Sequence, residues 1–339
     1  MRSGKQGLTL ATIVIVAVAL TISALYFFVI RKPKQQNGRL SVSVRLKWLH
    51  QAQFAGFYVA DAKGFYAQGG LTVSLKPGGV EFPSIQSVVS GLDKFGITGA
   101  DQILLHRSQG APIVAVATIY RATPMVLFSF AESNIRSPKD LAGKRVGVKL
   151  GGNEELTYRS ILRAAKVDAS AIREVPVKYD MTPLFEGFVD VWPGYLINEV
   201  LVAREQGRQV NVINPRDYGV DLYADTLFTT EAVLRKEPEV VRKFVRATLN
   251  GWQYAVDHPQ EAANIVLEYD RQLHYPHELA MMQESIPLLK PDAKPIGWMD
   301  QADWERMQQL LVQQGFLKTP TDVNKAFDSQ FVRDFYARP

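Results

Sequence analysis

The sequence contains no cysteine. Disulfides, thiolate nucleophiles, cysteine-based zinc centres and lipid attachment through an N-terminal cysteine are all excluded. Histidine is scarce, with five residues in 339. Only His274-Tyr-Pro-His277 has a metal-like spacing, and Pro276 and the missing third ligand argue against a metal there. There is no Walker-type phosphate loop and no Gly-x-Ser-x-Gly elbow, so nucleotide hydrolysis and serine-hydrolase chemistry have no footing. Internal repeats and low-complexity stretches are missing too. No cofactor is expected.

Acidic residues are absent from positions 1–39, which hold six of the 39 basic residues. The remaining 33 basic residues face 34 acidic ones, a net charge of −1, so the basic character of the chain belongs to its N-terminus. That suits anionic lipid headgroups. It does not suit nucleic acid, whose binders need a basic face on the folded domain.

Leu8 to Ile30 is an apolar run of 23 residues, broken only by Thr9, Thr12, Thr21 and Ser23 and closed by Arg31-Lys-Pro-Lys34. At about 1.5 Å per residue a helix of that length crosses a hydrocarbon core of about 30 Å. The run exceeds the span of a signal-peptide core, about 7–15 residues, and ends in bulky side chains, with Ser23-Ala24 the sole cleavage candidate. It reads as an uncleaved N-terminal transmembrane anchor. Basic residues after the run outnumber those before it. The positive-inside rule taken alone would keep the rest of the chain inside, against the extracytoplasmic placement argued below.

The polar spacer Gln35-Gln-Asn-Gly38 precedes a part of the chain long enough for one large core or two lobes. Leu40 to Leu46 alternates with period two and predicts a strand. Phe54 to Ala60, ended by Lys63-Gly64, predicts a helix. Strands at 71–75 and 95–98, helices at 83–92 and 100–109, and apolar strands at 113–119 and 125–130 continue a βαβα order, which implies a mostly parallel sheet with helices on both faces. A second unit begins near Ser137. It has strands at 145–150, 175–179, 189–192 and 210–213, and helices from Gly151 to about Lys166, at 183–188 and at 198–206. After Thr226 to Thr229 the composition is helical.

Binding groups gather just beyond strand ends, where open α/β sheets hold ligands. Trp48, His50, Gln51, Gln53, Phe54, Phe57 and Tyr58 follow the first strand, and Thr98 to Asp101 follow the third. Trp192-Pro-Gly-Tyr195, Asn198 and Glu199 follow a strand of the second unit. Flat aromatics with amides and one or two carboxylates suit a planar, hydrogen-bonding, weakly basic molecule. Core packing is the competing reading for any single aromatic among them. Gly151-Gly152-Asn153 opens a helix whose free N–H groups suit an anion, although Glu154 and Glu155 in the same turn would repel one. The spacing of Tyr195 and Glu199 predicts both side chains on one face of a helix start.

These residues also carry a resemblance. Leu46-Lys-Trp-Leu-His-Gln-Ala-Gln-Phe-Ala-Gly-Phe-Tyr-Val-Ala60 followed by Lys63-Gly-Phe-Tyr66 resembles the opening of periplasmic substrate-binding proteins related to thiamine-pyrimidine synthases. Phe95 to Asp101, Gly110 to Ala117, Ser137 to Lys149, Gly194-Tyr-Leu-Ile-Asn-Glu199, Gly297-Trp-Met-Asp and Trp304 to Phe316 are similar to further elements of that family, covering about 40–335. The resemblance implies an α/β type II periplasmic binding protein with two lobes joined by two crossover strands. The expected division is 1–39 anchor and spacer, 40–122 plus 226–339 lobe 1, and 123–225 lobe 2, with crossings near Thr123 and Ala224. It implies a thiamine pyrimidine precursor as ligand, delivered to the permease and ATPase of an ABC importer. The ligand-binding residues expected are Trp48, His50, Gln53, Tyr58, Thr98, Asp101, Gly152, Asn153, Trp192, Tyr195, Glu199 and Tyr223. Sulfonates, nitrate and flavin-like molecules are bound by other members. A sensing module and a pyrimidine synthase are the alternatives. The synthase is disfavoured by the missing cysteine-rich motif, and sensing by the lack of a kinase or cyclase segment. Lys47, His50 and Phe54 depart from the family pattern.

Overall fold

The computed structural model describes residues 35, 36 and 38–337. The apolar run from Leu8 to Ile30, and with it the expected anchor, lies outside these residues. Among the described residues no helix is long and apolar enough to cross a membrane. Gln35 and Gln36 pair antiparallel with Leu40 and Arg39, in a first unit that ends at Ser41. The second unit begins at Val42 and takes in the rest of the described residues.

Strand β1, Arg39–Arg45, buries Val42 and Val44, as its alternation predicts. It pairs with β2, Leu71–Lys76, on one side and runs parallel to β3, Phe95–Gly99, on the other. β4, Ile113–Thr118, does not join β3 directly. Between them lies a strand formed much later in the chain, Asp225–Thr230, antiparallel to both. The mostly parallel sheet expected from the βα order is therefore corrected. Local periodicity identifies strands but not distant partners, and Asp225–Thr230 is buried at the centre although four of its six residues are polar. A Cβ at Gly96 would come within 2.6 Å of the Phe228 ring, so this close strand contact requires glycine.

The strands between β4 and that late strand pair among themselves. They are β5, Met125–Phe130; β6, Arg145–Val148; β7, Arg173–Pro176; β8, Trp192–Tyr195; and β9, Val210–Ile213. β5 lies between β9 and β8, antiparallel to each, and β6 runs parallel to β7. β8 starts three residues later than periodicity predicts, because its ladder with β5 begins at Trp192 while Val191 bridges to Val146 instead. Every residue of β5 is buried. Met125 and Leu127 enter one core with Tyr158 and Ile161, and Val126 and Phe128 enter another with Trp192 and Val200. That explains an apolar run without alternation.

The late strand is β10 in chain order. The chain leaves the first sheet after Thr118 and returns at Asp225, and the two passages are tied together. The N–H groups of Ile119 and Tyr120 donate to the Asp225 carbonyl at 2.8 and 3.1 Å, and Ala224 N–H donates to Tyr120 O at 2.9 Å.

Helix α1, Ala55–Ala62, crosses the long helix Pro238–Asp257 closely, with Gly251 against the Gly56 carbonyl and the Trp252 ring over Gly56. A Cβ on Gly251 would sit 2.1 Å from the Gly56 carbonyl oxygen. Gly251→Ala must therefore push the helices apart, and a loss of about 1–3 kcal/mol is expected from overpacking. Denaturant unfolding checks this, and an unchanged midpoint would show that the crossing is looser than described.

Candidate functional site

A cavity of about 630 Å³ opens where the ends of the two sheet systems meet. From the first sheet it is walled by Lys47, Trp48, Gln51, Gln53 and Thr98, and from the second set of strands by Gly152, Asn153, Glu154, Tyr179, Tyr195 and Glu199. The segment carrying Lys47 and Trp48 is held past the end of β1 by backbone bonds. Leu46 N–H donates to Lys76 O at 2.9 Å, and Gly78 N–H donates to Trp48 O at 2.8 Å. Ala52 N–H then donates to the buried Glu278 carboxylate at 2.6 Å, which sets Gln51 and Gln53 against the cavity.

Lys47 is the centre of the polar wall. Its Nζ donates to the Tyr195 hydroxyl at 2.6 Å and lies 3.4 Å from Asp225 Oδ1. Gln53 Nε2 donates to Asp225 Oδ2 at 2.7 Å, and Gln51 Nε2 donates to Gln53 Oε1 at 2.5 Å. Asn153 Nδ2 donates to the Tyr195 hydroxyl at 3.3 Å. Burial by itself would lower the Lys47 pKa, but Tyr195, Asp225 and Glu154 outweigh it and hold the ammonium above the ordinary lysine value. Burial pushes the Tyr195 phenol up, against the pull of Lys47. Tyr195 thus accepts two hydrogen bonds and keeps its own proton for a third partner.

The aromatic wall comes from both sides. The Trp48 and Tyr179 rings lie 4.7 Å apart at 47°. Lys149 Nζ sits 4.8 Å from the Tyr179 ring centre and 5.5 Å from that of Trp192. Lys149 Nζ is also 3.3 Å from Glu199 Oε1, while Tyr195 N–H donates to Glu199 Oε2 at 2.8 Å. Tyr195 and Glu199 do not share a helix face as their spacing predicts. Tyr195 ends β8, and Glu199 opens helix α2, Glu199–Glu205, and folds back onto the strand.

Seven of the sequence-predicted residues meet in this wall: Trp48, Gln53, Thr98, Gly152, Asn153, Tyr195 and Glu199. The other five stand elsewhere. Trp192 packs against Phe128 and Val200, because period two puts it on the strand face opposite Tyr195. Tyr223 meets Trp304 edge-on at 6.4 Å and donates its hydroxyl to Asp303. Tyr58 is fully buried, hydrogen-bonds His50 Nδ1 at 2.9 Å and packs on Tyr269, which draws both Tyr58 and His50 into that aromatic cluster. Asp101 is buried at the start of its own helix and accepts from Gln102 at 2.8 Å. The Gly151 N–H expected to be free for an anion donates to Glu155 Oε2 at 2.8 Å. Missing from the sequence reading were Lys47, Glu154 and Tyr179 as wall residues and Asp225 behind them. Lys47 and Tyr179 each lie just past a strand, the signal that singled out Trp48.

The model of the family described as NMT1/THI5 like matches residues 51–262. The chain belongs to the NMT1/THI5-like family. Among its relatives, a riboflavin-binding protein, RibY, of Chloroflexus aurantiacus is 30% identical over 314 residues, covering 88% of each chain. A formylaminopyrimidine-binding protein of Halalkalibacterium halodurans is 29% identical over 301 residues, covering 85% of this chain and 90% of its own. A 4-amino-5-hydroxymethyl-2-methylpyrimidine phosphate synthase of Legionella pneumophila is more distant, at 20% identity over 297 residues. In structure the chain is similar to the periplasmic aliphatic sulphonate binding protein SsuA of Escherichia coli, with TM-score 0.67 and 14% identity over 84% of this chain and 91% of that one. The chain therefore has the α/β fold of periplasmic binding proteins.

Proposed function

We propose that this chain is an extracytoplasmic binding protein that captures a small planar nitrogen heterocycle, of the thiamine-pyrimidine precursor class, for the permease and ATPase of an ABC importer. The observation that carries this reading is the cavity wall, in which the rings of Trp48, Tyr179 and Tyr195 stand beside the donors and acceptors of Lys47, Asn153, Glu154 and Glu199. A heterocycle needs flat apolar faces for its ring and polar groups for its edge, and this wall offers both. The relatives named as binding proteins support a receptor rather than an enzyme. Residues 123–225 form lobe 2 in this proposal, and the paired passages at Tyr120 and Ala224 act as the hinge. Ligand-dependent compaction in small-angle scattering is the sign of that closure, and a profile unchanged by a bound heterocycle would argue against it. A second reading, a flavin-like ligand, is favoured by the cavity's 630 Å³, which leaves room beyond a single ring.

Calorimetric titration with hydroxymethylpyrimidine, formylaminopyrimidine, riboflavin, taurine and nitrate tests the proposal. A heterocycle is expected to bind, and taurine and nitrate are not. Trp48→Ala is expected to weaken the bound heterocycle about tenfold or more, since ring stacking contributes about 1–3 kcal/mol per base-like ring. Tight nitrate or taurine binding, or an unaffected Trp48→Ala variant, would overturn it.

A further inference from the structure

A second cavity, of about 490 Å³, lies beside the first, and Gln51 and Val202 stand in the walls of both. It runs between the helix Glu199–Glu205, in the part proposed as lobe 2, and the helix Tyr275–Leu289, in the part proposed as lobe 1. Two ion pairs bridge these helices. His277 Nδ1 lies 2.9 Å from Glu205 Oε1, and Arg204 Nη1 lies 4.0 Å from Glu284 Oε1. None of the four residues lines the first cavity, so the pairs join the two parts without touching a ligand there. A contact made only when the parts are together stabilises the shut form and leaves the open form unchanged.

The two pairs differ in how they answer to pH. A histidine changes charge between about pH 5 and 8, while carboxylates and guanidinium groups keep theirs. A charged His277 ring attracts the Glu205 carboxylate, and a neutral ring offers it a hydrogen bond at most. The charge is present at the acid end and lost as pH rises, so the contact is stronger at the acid end. The helix Tyr275–Leu289 packs against three other elements. The helix Glu199–Glu205 brings Arg204, Glu205 and, at its far end, Glu199, which is held by Lys149 and Tyr195. The helix Pro259–Val266 brings Glu261, which pairs with Lys63. The segment at Ala52–Phe54 carries no charge, and His50 before it bonds Tyr58. Asp270 and His274 precede the helix, and Glu278 and Glu284 belong to it. Burial pushes the Glu278 carboxyl up, but Glu278 bonds Ala52 N–H within the same part and does not reach across.

We propose that His277 and Glu205 form a pH-sensitive latch between the two parts, which favours the shut form at about pH 5–6 and lets it open as pH rises toward about 8. This rests on the two-lobe reading with its hinge at Tyr120 and Ala224.

The chain has no cysteine, so two introduced ones carry spin labels at defined places. Lys139→Cys and Gln301→Cys put one label on each part, both at exposed positions. Distances between the labels are measured on the full chain without ligand from about pH 5.5 to about 8.5, across the histidine range. The labelled chain is compared with His277→Gln, Glu205→Gln and His277→Lys in the same background, each with a thermal melt. The ratio of shut to open form is expected to fall about threefold over that range, the size of a partly exposed ion pair. His277→Gln and Glu205→Gln are expected to hold the lower ratio at every pH. His277→Lys stays charged throughout and is expected to hold the higher ratio, which packing alone would not produce. Two distances in a ratio that pH does not change, or the same pH response in the folded glutamine variants, overturn the latch and leave the two-lobe reading standing. A single distance at every pH overturns both.

Discussion

Asp225→Ala is expected to lower the stability of the fold by about 3–5 kcal/mol and to abolish tight ligand binding. Asp225 is buried at the start of β10, accepts from Gln53 at 2.7 Å and lies 3.4 Å from Lys47 Nζ. Removing one partner of a buried charged pair leaves the other without compensation, which costs about that much. The backbone of Asp225 also ties the two passages between the sheet systems together through Ile119 and Tyr120. Loss of the side chain frees Gln53 and Lys47, both in the cavity wall, so binding and stability fall together. Asp225→Asn retains an acceptor for Gln53 and is expected to cost less. Urea unfolding of the three proteins decides the matter, and a loss below about 1 kcal/mol for the alanine variant would mean that Lys47 does not depend on Asp225.

Asp292→Ala is expected to cost about 2 kcal/mol, between an exposed pair and a buried one. Arg121, just past the first passage, is 4% exposed and bonds Asp292 through both terminal nitrogens at 2.5 and 3.0 Å. Asp292 itself is nearly half exposed, so solvent screens the pair and the full cost of a buried pair is not reached. The Arg121 hydrogen bonds hold the Asp292 carboxyl well below its ordinary value of 3.8, at about 2. Because the folded value is depressed, the stabilisation is present above the unfolded pKa and disappears as pH falls from about 4 through about 2. Wild type is expected to lose more stability than Asp292→Ala over that window. Parallel acid-unfolding curves for the two proteins would contradict this assignment.

Much of the first half of the fold is legible because its elements are local. β1 shows its alternation, α1 ends at a glycine, and β5 is an apolar run buried on both faces. The antiparallel placement of β10 was not legible, since nothing in Asp225–Thr230 names β3 and β4 as partners. At the site, position past a strand end picked out Trp48, Gln53, Thr98, Asn153 and Tyr195, which line the cavity. The same rule also selected Trp192, His50 and Tyr58, which turn into packed clusters. Strand-end position tells where a residue is, whereas the side its side chain takes depends on strand parity and on partners such as Tyr269 and Phe128. Glu154 was read only as a helix-dipole residue, because its place in the cavity wall beside Lys47 is visible only in three dimensions.

The central claim is that the cavity between the two sheet systems holds a planar nitrogen heterocycle. Mass spectrometry of the full chain, purified gently and released from whatever it carries, tests this most directly. The account predicts a nitrogen heterocycle of one to three rings. A sulfonate or an inorganic anion recovered in its place would contradict it.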